Sequence, residues 1–239
     1  MTGIRFDHIA MVAETLGGGP PVLVGVLGGV PHAGGFSEAY TWCAWRYANG
    51  GCLEVLEPRG EDGFLHRHLA TRGPGVHHVT FRVRSLDAVC ARAAEHGYRI
   101  VGRNESDPSW AEAFLHPKEA LGIVVQFAES RVPALPRAWS PPPGPSDPPP
   151  PVAIVGLRMR ARSIERAETQ WGRVLEGERS TAGDALVFRW RDSPMRLAVE
   201  IAPDAEEGPL AIEYASTRTV DLAEHPVAAL GTDFRRRRP

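Results

Sequence analysis

At 239 residues and 43% hydrophobic content, the chain is long enough for one large domain or two small ones around a buried core. A net charge of −2 carries no nucleic-acid footprint, and Gly and Pro break the longest apolar run near the start, so neither a signal peptide nor a membrane span is expected. The three cysteines, Cys43, Cys52 and Cys90, have no metal-like spacing and read as small core residues of a reduced, cytoplasmic protein.

The first strand lies around Phe6-Asp7-His8-Ile9-Ala10-Met11-Val12. The helix after it is squeezed between Leu16-Gly-Gly-Gly-Pro-Pro21 and Gly28-Gly-Val-Pro31, which leaves Pro21 to Leu27 for a short one opened by proline. His32 to Gly35 reads as a loop, and Glu38 to Ala48 as strands rich in aromatics, with Tyr40, Trp42, Trp45 and Tyr47. Core filling is the ordinary role of such residues; lining an apolar cup for an organic substrate is the other. Asn49-Gly50-Gly51 then turns the chain directly into the strand that bears Glu54.

Residues 59 to 72 are polar and hold His66 and His68, which cannot share a helix face at a spacing of two and are expected at the surface. Gly73-Pro-Gly75 is turn chemistry. In the strand that follows, Val79, Phe81 and Val83 are hydrophobic on one face and His78 falls on the other. An imidazole on the non-core face of a β-branched strand is a platform for a metal ligand, although plain hydrogen bonding is the commoner fate. Ser85 caps a helix that runs to Glu95-His96-Gly97, with Leu86, Val89, Cys90, Ala93 and Ala94 at helical spacing. Asp107-Pro-Ser-Trp110 is a turn, and Ala111 to His116 is a strand with Glu112, Phe114 and His116 on one parity. His116 opens a connection and reads as structural. A carboxylate in an apolar strand is costly unless solvated or paired, so Glu112 is either an edge-strand side chain in water or a general base.

Two correspondences mark an internal repeat. Phe6 to Val12 has the pattern of Val76 to Arg82, displaced by 70 residues, and Cys52 to Glu57 that of Val124 to Glu129, displaced by 72. Each repeat thus offers a His on its first strand and a carboxylate or amide on its last. His8, Glu54, His78 and Gln126 would converge if the two units pack about a pseudo-twofold axis, and such a set with open positions suits a divalent ion of the Fe, Mn, Co, Ni or Zn type.

From 132 to 151 the chain is proline-rich and reads as a semi-rigid spacer and domain boundary, with an SH3-type ligand as the lesser alternative. Beyond it, Ala153 to Met159, the capped helix Ser163 to Trp171, Ala185 to Arg191 and Leu197 to Ile201 resemble a third, degraded module, followed by a half-module at Pro209 to Tyr214 and a solvated arginine tail from Arg235 to Arg238. Leu157 is taken to stand at the first-His position, which would leave Glu200 without a partner. The segment 152–239 is expected to be a structural or dimer-supporting appendage, so a homodimer is a candidate assembly.

Five motifs in order, Asp7-His8-Ile9-Ala10, Leu53-Glu54-Val55-Leu56-Glu57-Pro58, Gly73 to Val83, Phe114-Leu-His-Pro-Lys118 and Gly122 to Phe127, give residues 4 to 130 a family resemblance. The chain resembles the vicinal oxygen chelate superfamily, the glyoxalase, bleomycin-resistance and extradiol-dioxygenase group, and most closely its methylmalonyl-CoA epimerase-like branch. The resemblance implies an α+β fold in which paired βαβββ modules, 4–58 and 74–130 within a domain of 1–131, form a cupped, mostly antiparallel sheet followed by a degenerate partial repeat. It places the metal on His8, Glu54, His78 and Gln126.

The implied chemistry is that of a metal-dependent isomerase, epimerase or lyase that acidifies the C-H next to a chelated carbonyl of a small carbonyl or acyl-thioester substrate. In the epimerase-like branch the base is a separate glutamate on a strand of the first module, yet Tyr40 to Trp45 contains no carboxylate. Glu54 or Glu112 would have to act instead, with Tyr40, Trp42, Trp110 and Phe114 lining the substrate. A metal-free, drug-sequestering binding protein and an Fe(II)-dependent dioxygenase are the alternatives, and replacement of an acid by Gln126 weighs against the latter.

Overall fold

A computed structural model gives the structure of the protein and describes residues 3–131, 139–222 and 226–237. Residues 132–138 of the expected spacer and Arg238 of the expected tail lie outside the described residues. The first module consists of β1 (Arg5–Val12), α1 (Pro20–Leu23), β2 (Val30–Phe36), β3 (Tyr40–Arg46) and β4 (Cys52–Pro58). After α2 (Phe64–Arg72), the second module repeats the pattern as β5 (Gly75–Arg82), α3 (Leu86–Glu95), β6 (Ile100–Asp107), β7 (Trp110–Leu115) and β8 (Val124–Ser130). A third follows as β9 (Ala153–Ala161), α4 (Ile164–Ala167), β10 (Glu178–Ala182), β11 (Ala185–Arg189) and β12 (Arg196–Ile201), and then β13 (Gly208–Ala215) and β14 (Phe234–Arg236).

In each module the first strand runs parallel to the last, β1 to β4, β5 to β8 and β9 to β12, while the later strands pair antiparallel in sequence. The eight-stranded sheet has the order β2-β3-β4-β1-β5-β8-β7-β6, and the six-stranded sheet the order β10-β11-β12-β9-β13-β14. The paired βαβββ modules expected from the resemblance are therefore present, in a mixed α+β fold. The third module repeats their strand order in full, and its degeneracy lies in its side chains.

Two edge strands correct the sequence reading. His32 to Gly35 is not a loop: it belongs to β2, which pairs with β3 through Gly34 to Cys43 and Gly35 to Trp42. β10 pairs with β11 from Glu178 to Ala182 in a stretch with no apolar alternation. Both strands sit at a sheet edge, where main-chain pairing on one side suffices and an apolar face is not required.

The chain forms two compact units, one of Met1–Asp7, His78–Leu135 and Gly156–Leu210, the other of His8–His77, Pro136–Val155 and Ala211–Pro239. The first is centred on aromatic rings: Phe6 stacks on Phe81 at 5.0 Å between centroids, and Trp190 meets the edges of both at 5.8 and 4.7 Å. Its α3 begins where expected, with the Ser85 hydroxyl accepting from the Ala88 amide, and buries Leu86, Val89, Cys90 and Ala93.

In the second unit the shortness of α1 has a physical reason. The proline-rich segment lies against the turn that follows α1. The Val152 amide donates to the Leu27 carbonyl at 3.0 Å, the Ala48 amide donates to the Val152 carbonyl at 3.0 Å, and Arg218 Nε donates to the Pro150 carbonyl at 3.0 Å. The approach is closest at Gly28, whose φ is +74° and where a Cβ would lie 2.3 Å from the Pro149 carbonyl oxygen. A longer helix with side chains here would displace that segment. Among the described residues no helix is long and apolar enough to cross a membrane.

Gly28 and Gly60 share the same φ of +74°, but a Cβ at Gly60 would meet nothing within 4 Å. Alanine costs about 1–2 kcal/mol at either position for its backbone conformation, so Gly28→Ala is expected to lower stability by at least ~1 kcal/mol more than Gly60→Ala. Urea unfolding of the two variants measures the difference, and equal losses would mean that the proline-rich segment does not press on Gly28.

Candidate functional site

The site is set by strand register. In the unit that contains β4, Ala10 of β1 is the register partner of Glu54, and the side chain two residues earlier, His8, reaches the carboxylate, with Nε2 3.6 Å from Oε1. Both side chains are only slightly exposed, at 11% and 13%. In the other unit Thr80 of β5 is the register partner of Gln126 in β8, and His78, two residues before Thr80, is buried. The nitrogen and oxygen ligand atoms of His8, Glu54 and His78 all lie within 4.8 Å of one another. Adjacent donors bonded to one ion at about 2.1 Å stand about 3–3.5 Å apart, so this trio would draw together on taking up a single divalent cation. Two imidazoles and a carboxylate are the donor set such an ion takes.

Gln126 is held at both ends of its amide. Its Oε1 accepts from the Thr80 hydroxyl at 2.5 Å, and its Nε2 donates to Glu112 Oε2 at 2.7 Å. The same carboxylate oxygen accepts from the Trp110 indole at 3.1 Å. The Arg82 guanidinium lies 4.5 Å from the centre of the Trp110 ring, and its Nε is 3.6 Å from Asp7 Oδ1. Because Phe114 is the register partner of Gln126 on β7, Trp110, Glu112 and Phe114 share the face that carries the Gln126 side chain. Glu112 is thus not a lone edge-strand side chain in water: it is half-buried and twice hydrogen-bonded. Thr80 and Arg82 were not singled out from the sequence, although their alternation with His78 along β5 is the signal that could have found them.

On β3, Trp42 is the register partner of Leu56, and Ala44 that of Glu54. Tyr40 and Trp42 pack, together with Leu69, against a buried cluster of Ala10, Val12, Leu56 and Leu65. α2 therefore covers the part of the sheet on which these two aromatics stand. Phe64 on α2 meets Tyr40 edge-on at 6.1 Å and lies 5.8 Å from His77. His68 is not a free surface group: its ring sits 4.9 Å from that of His77. Burial, with smaller contributions from His68 and Arg72, pushes His77 down to about 3, and burial, then Arg72, lowers His68 as well. His116 serves its own turn, with Nδ1 accepting from the Lys118 amide at 3.2 Å. Burial, and then the charge of Glu54, pushes the Cys43 thiol up to about 12. It is a protonated core group, as its lack of metal-like spacing suggested.

The third module corrects the reading of its own site. Glu200 is the register partner of Arg160, so the position that corresponds to His8 and His78 is Arg158, not Leu157. Glu200 does have a partner: Arg158 Nη1 donates to its Oε1 at 2.8 Å. A guanidinium stands where the other modules carry an imidazole.

Residues 7–114 match the sequence model of the Glyoxalase/Bleomycin resistance protein/Dioxygenase superfamily. This stretch is a domain of that superfamily. An uncharacterised protein of Bacillus subtilis, YqjC, is 25% identical over 130 residues, which make up 53% of this chain and 93% of its own. Among solved structures, a triple mutant of 4-hydroxymandelate synthase from Streptomyces coelicolor superposes on 90% of this chain and 72% of its own with a TM-score of 0.61 at 11% identity, a likeness of fold. Methylmalonyl-CoA epimerase from Mycobacterium tuberculosis superposes on 52% of this chain and 87% of its own, with a TM-score of 0.48 at 22% identity. Among the described residues, His8, Glu54 and His78 form a group that could hold a metal ion.

The grip on Gln126 can be tested without any ligand. Thr80→Val removes the donor from a buried amide oxygen and is expected to cost about 1–3 kcal/mol in urea unfolding, whereas Thr80→Ser, which keeps the hydroxyl, should recover most of it. A Val variant as stable as the parent beside a destabilised Ser variant would show that the Thr80 methyl, not its hydrogen bond, matters.

Proposed function

We propose that the protein is a metal-dependent isomerase, epimerase or lyase of the glyoxalase type, which moves a proton at a carbon next to a chelated carbonyl. The observation that carries this reading is the mutual approach of the His8, Glu54 and His78 ligand atoms to within 4.8 Å. A divalent ion held there, of the Fe, Mn, Co, Ni or Zn type, supplies Lewis acidity that polarises the carbonyl and acidifies the adjacent C-H. Gln126 is proposed as the fourth ligand, through the Oε1 lone pair that Thr80 leaves unused.

The remaining chemistry falls to side chains. Glu112 is proposed as the base, because a proton acceptor must be held in one orientation beside the reacting carbon. Two donors, the Gln126 amide and the Trp110 indole, fix one of its oxygens and leave the other to take the proton. Arg82, bridging Asp7 and the Trp110 ring, keeps that indole in place. Phe114 and Trp110 supply apolar surface for the carbon part of the substrate on the same face. Glu54, which is both ligand and carboxylate, is the alternative base in the glyoxalase manner. β3 offers none, since Ala44 stands opposite Glu54.

Protein purified without chelator is expected to contain about one equivalent of a divalent transition metal by elemental analysis. His8→Ala, Glu54→Ala and His78→Ala should each lower metal affinity by at least ~100-fold. A chain that takes up no metal, or three variants that bind it as well as the parent, would end this reading. Glu112→Gln is expected to bind metal normally but to lose about 10²–10⁴-fold in solvent-deuterium exchange at the carbon beside the carbonyl, measured over a panel of 2-oxo acids, 2-hydroxy acids and acyl thioesters. Undiminished exchange would remove Glu112 from the role.

A further inference from the structure

A cavity that the proposed chemistry does not use lies on the reverse of β3. Ala44 stands opposite Glu54, so Thr41 and Cys43, which alternate with Trp42 and Ala44, face away from the metal group. With Leu16 they line a cavity of about 390 Å³, at the small end of the range of about 300–1,000 Å³ for ligand sites. Leu16 is fastened there by Glu57, the register partner of Thr41, whose Oε2 accepts the Leu16 amide at 2.6 Å. A further wall comes from the proline-rich segment. Trp139, the sole aromatic residue between positions 132 and 151, lines the cavity together with Ser140. Its indole lies against the bare backbone of Gly34, the register partner of Cys43, where a Cβ would fall 2.5 Å from the ring. Gly35 is bare towards the opposite face, where a Cβ would lie 3.3 Å from Trp42 Nε1. At these two glycines β2 is thus a thin rim with one indole on either side. Phe36, next along the rim, lines the cavity and is 66% exposed, which leaves an aromatic ring in water. None of the described residues on the wall is charged: burial, and then the charge of Glu54, pushes the Cys43 thiol up to about 12. All of them belong to one compact unit.

We propose that this cavity is a second small-molecule site, on the opposite side of the sheet from the metal group, and that it takes a flat, uncharged ring compound bearing one hydrogen-bonding group. A ring is favoured over a chain because Trp139 and Phe36 offer aromatic surface, and ring pairs gain more than their buried area alone. An uncharged ligand is favoured because a charge placed against this lining would lose water and find no partner. The Thr41 and Ser140 hydroxyls, which can donate or accept, supply the polar contact. The segment read from the sequence as a spacer is then also a wall of the site. None of this depends on the metal reading.

Three probes test it by isothermal titration calorimetry of the full-length protein with a chelator present, so that the outcome does not turn on metal. They are 2-naphthol, uncharged at neutral pH; 2-naphthoate, which has the same rings and a charge; and 1-decanol, which has as many carbons as 2-naphthol in a chain. One equivalent of 2-naphthol is expected to bind per chain, and each of the other two at least about tenfold more weakly. Trp139→Ala is expected to weaken 2-naphthol by about tenfold or more, and Trp139→Phe, which keeps a ring, by less. Gly34→Ala displaces the indole without removing it and should weaken binding as well. Trp139 stands on a surface segment and is only half-buried, so its variants carry the test if Gly34→Ala does not fold. Absence of binding by 2-naphthol, or an affinity that Trp139→Ala leaves unchanged, would overturn the site. Equally tight binding of 2-naphthoate or 1-decanol would overturn the uncharged ring as its ligand. Either failure leaves the metal group where it stands.

Discussion

The parallel pairing of the first and last strands within each βαβββ module is the constraint from which the site follows. A parallel pair fixes which side chains stand beside one another, and alternation fixes which face they take. In all three modules the polar residue of the last strand is matched to the residue two places beyond the polar residue of the first: Glu54 with Ala10, Gln126 with Thr80 and Glu200 with Arg160. His8, His78 and Arg158 consequently occupy one structural position. A one-residue slip in any of these registers would turn its polar pair into the core.

That equivalence makes the third module informative about the other two. Where His8 faces Glu54 across 3.6 Å, Arg158 donates to Glu200 at 2.8 Å. An arginine carries its own fixed charge and a carboxylate-matching fork of donors, so the pair satisfies itself. An imidazole brings no such fixed charge and no such fork to the carboxylate beside it. With Arg158 at this position, the third module lacks the imidazole that the other two carry there.

The parts of the fold that could be read from sequence are those where burial imposes a period. Val79, Phe81 and Val83 announced β5, and Ser85 with the spacing of Leu86, Val89 and Cys90 announced α3. β2 and β10 escaped because edge strands need no apolar face, and β2 is further disguised by Pro31, Gly34 and Gly35. Gly34 has a local cause: a Cβ there would fall 2.5 Å from the Trp139 indole. Leu157 was mistaken for the counterpart of His8 because apolar similarity was followed where only register decides. The correspondence of His8 with His78 and of Glu54 with Gln126 was legible through the repeat, whereas the hydrogen bonds of Gln126 were not. Thr80 and Glu112 lie 46 and 14 residues from it in sequence, and only the pairing of β8 with β5 and β7 brings them to its amide.

The charge count separates the two kinds of site further. Two neutral imidazoles, one carboxylate and one neutral amide offer a divalent ion a single negative charge, so a loaded site would keep a net charge near +1. An oxyanion developing on a substrate carbonyl would be matched by that residual charge, and in a partly buried site the match is worth more than in water. Replacing Gln126 by an acid would cancel it, favouring ion retention over stabilisation of the anion. In the third module the Arg158–Glu200 pair sums to zero. Under the proposed reading, a neutral amide at 126, restrained by Thr80 and Glu112, would tilt a loaded site towards proton transfer rather than tight, inert metal storage.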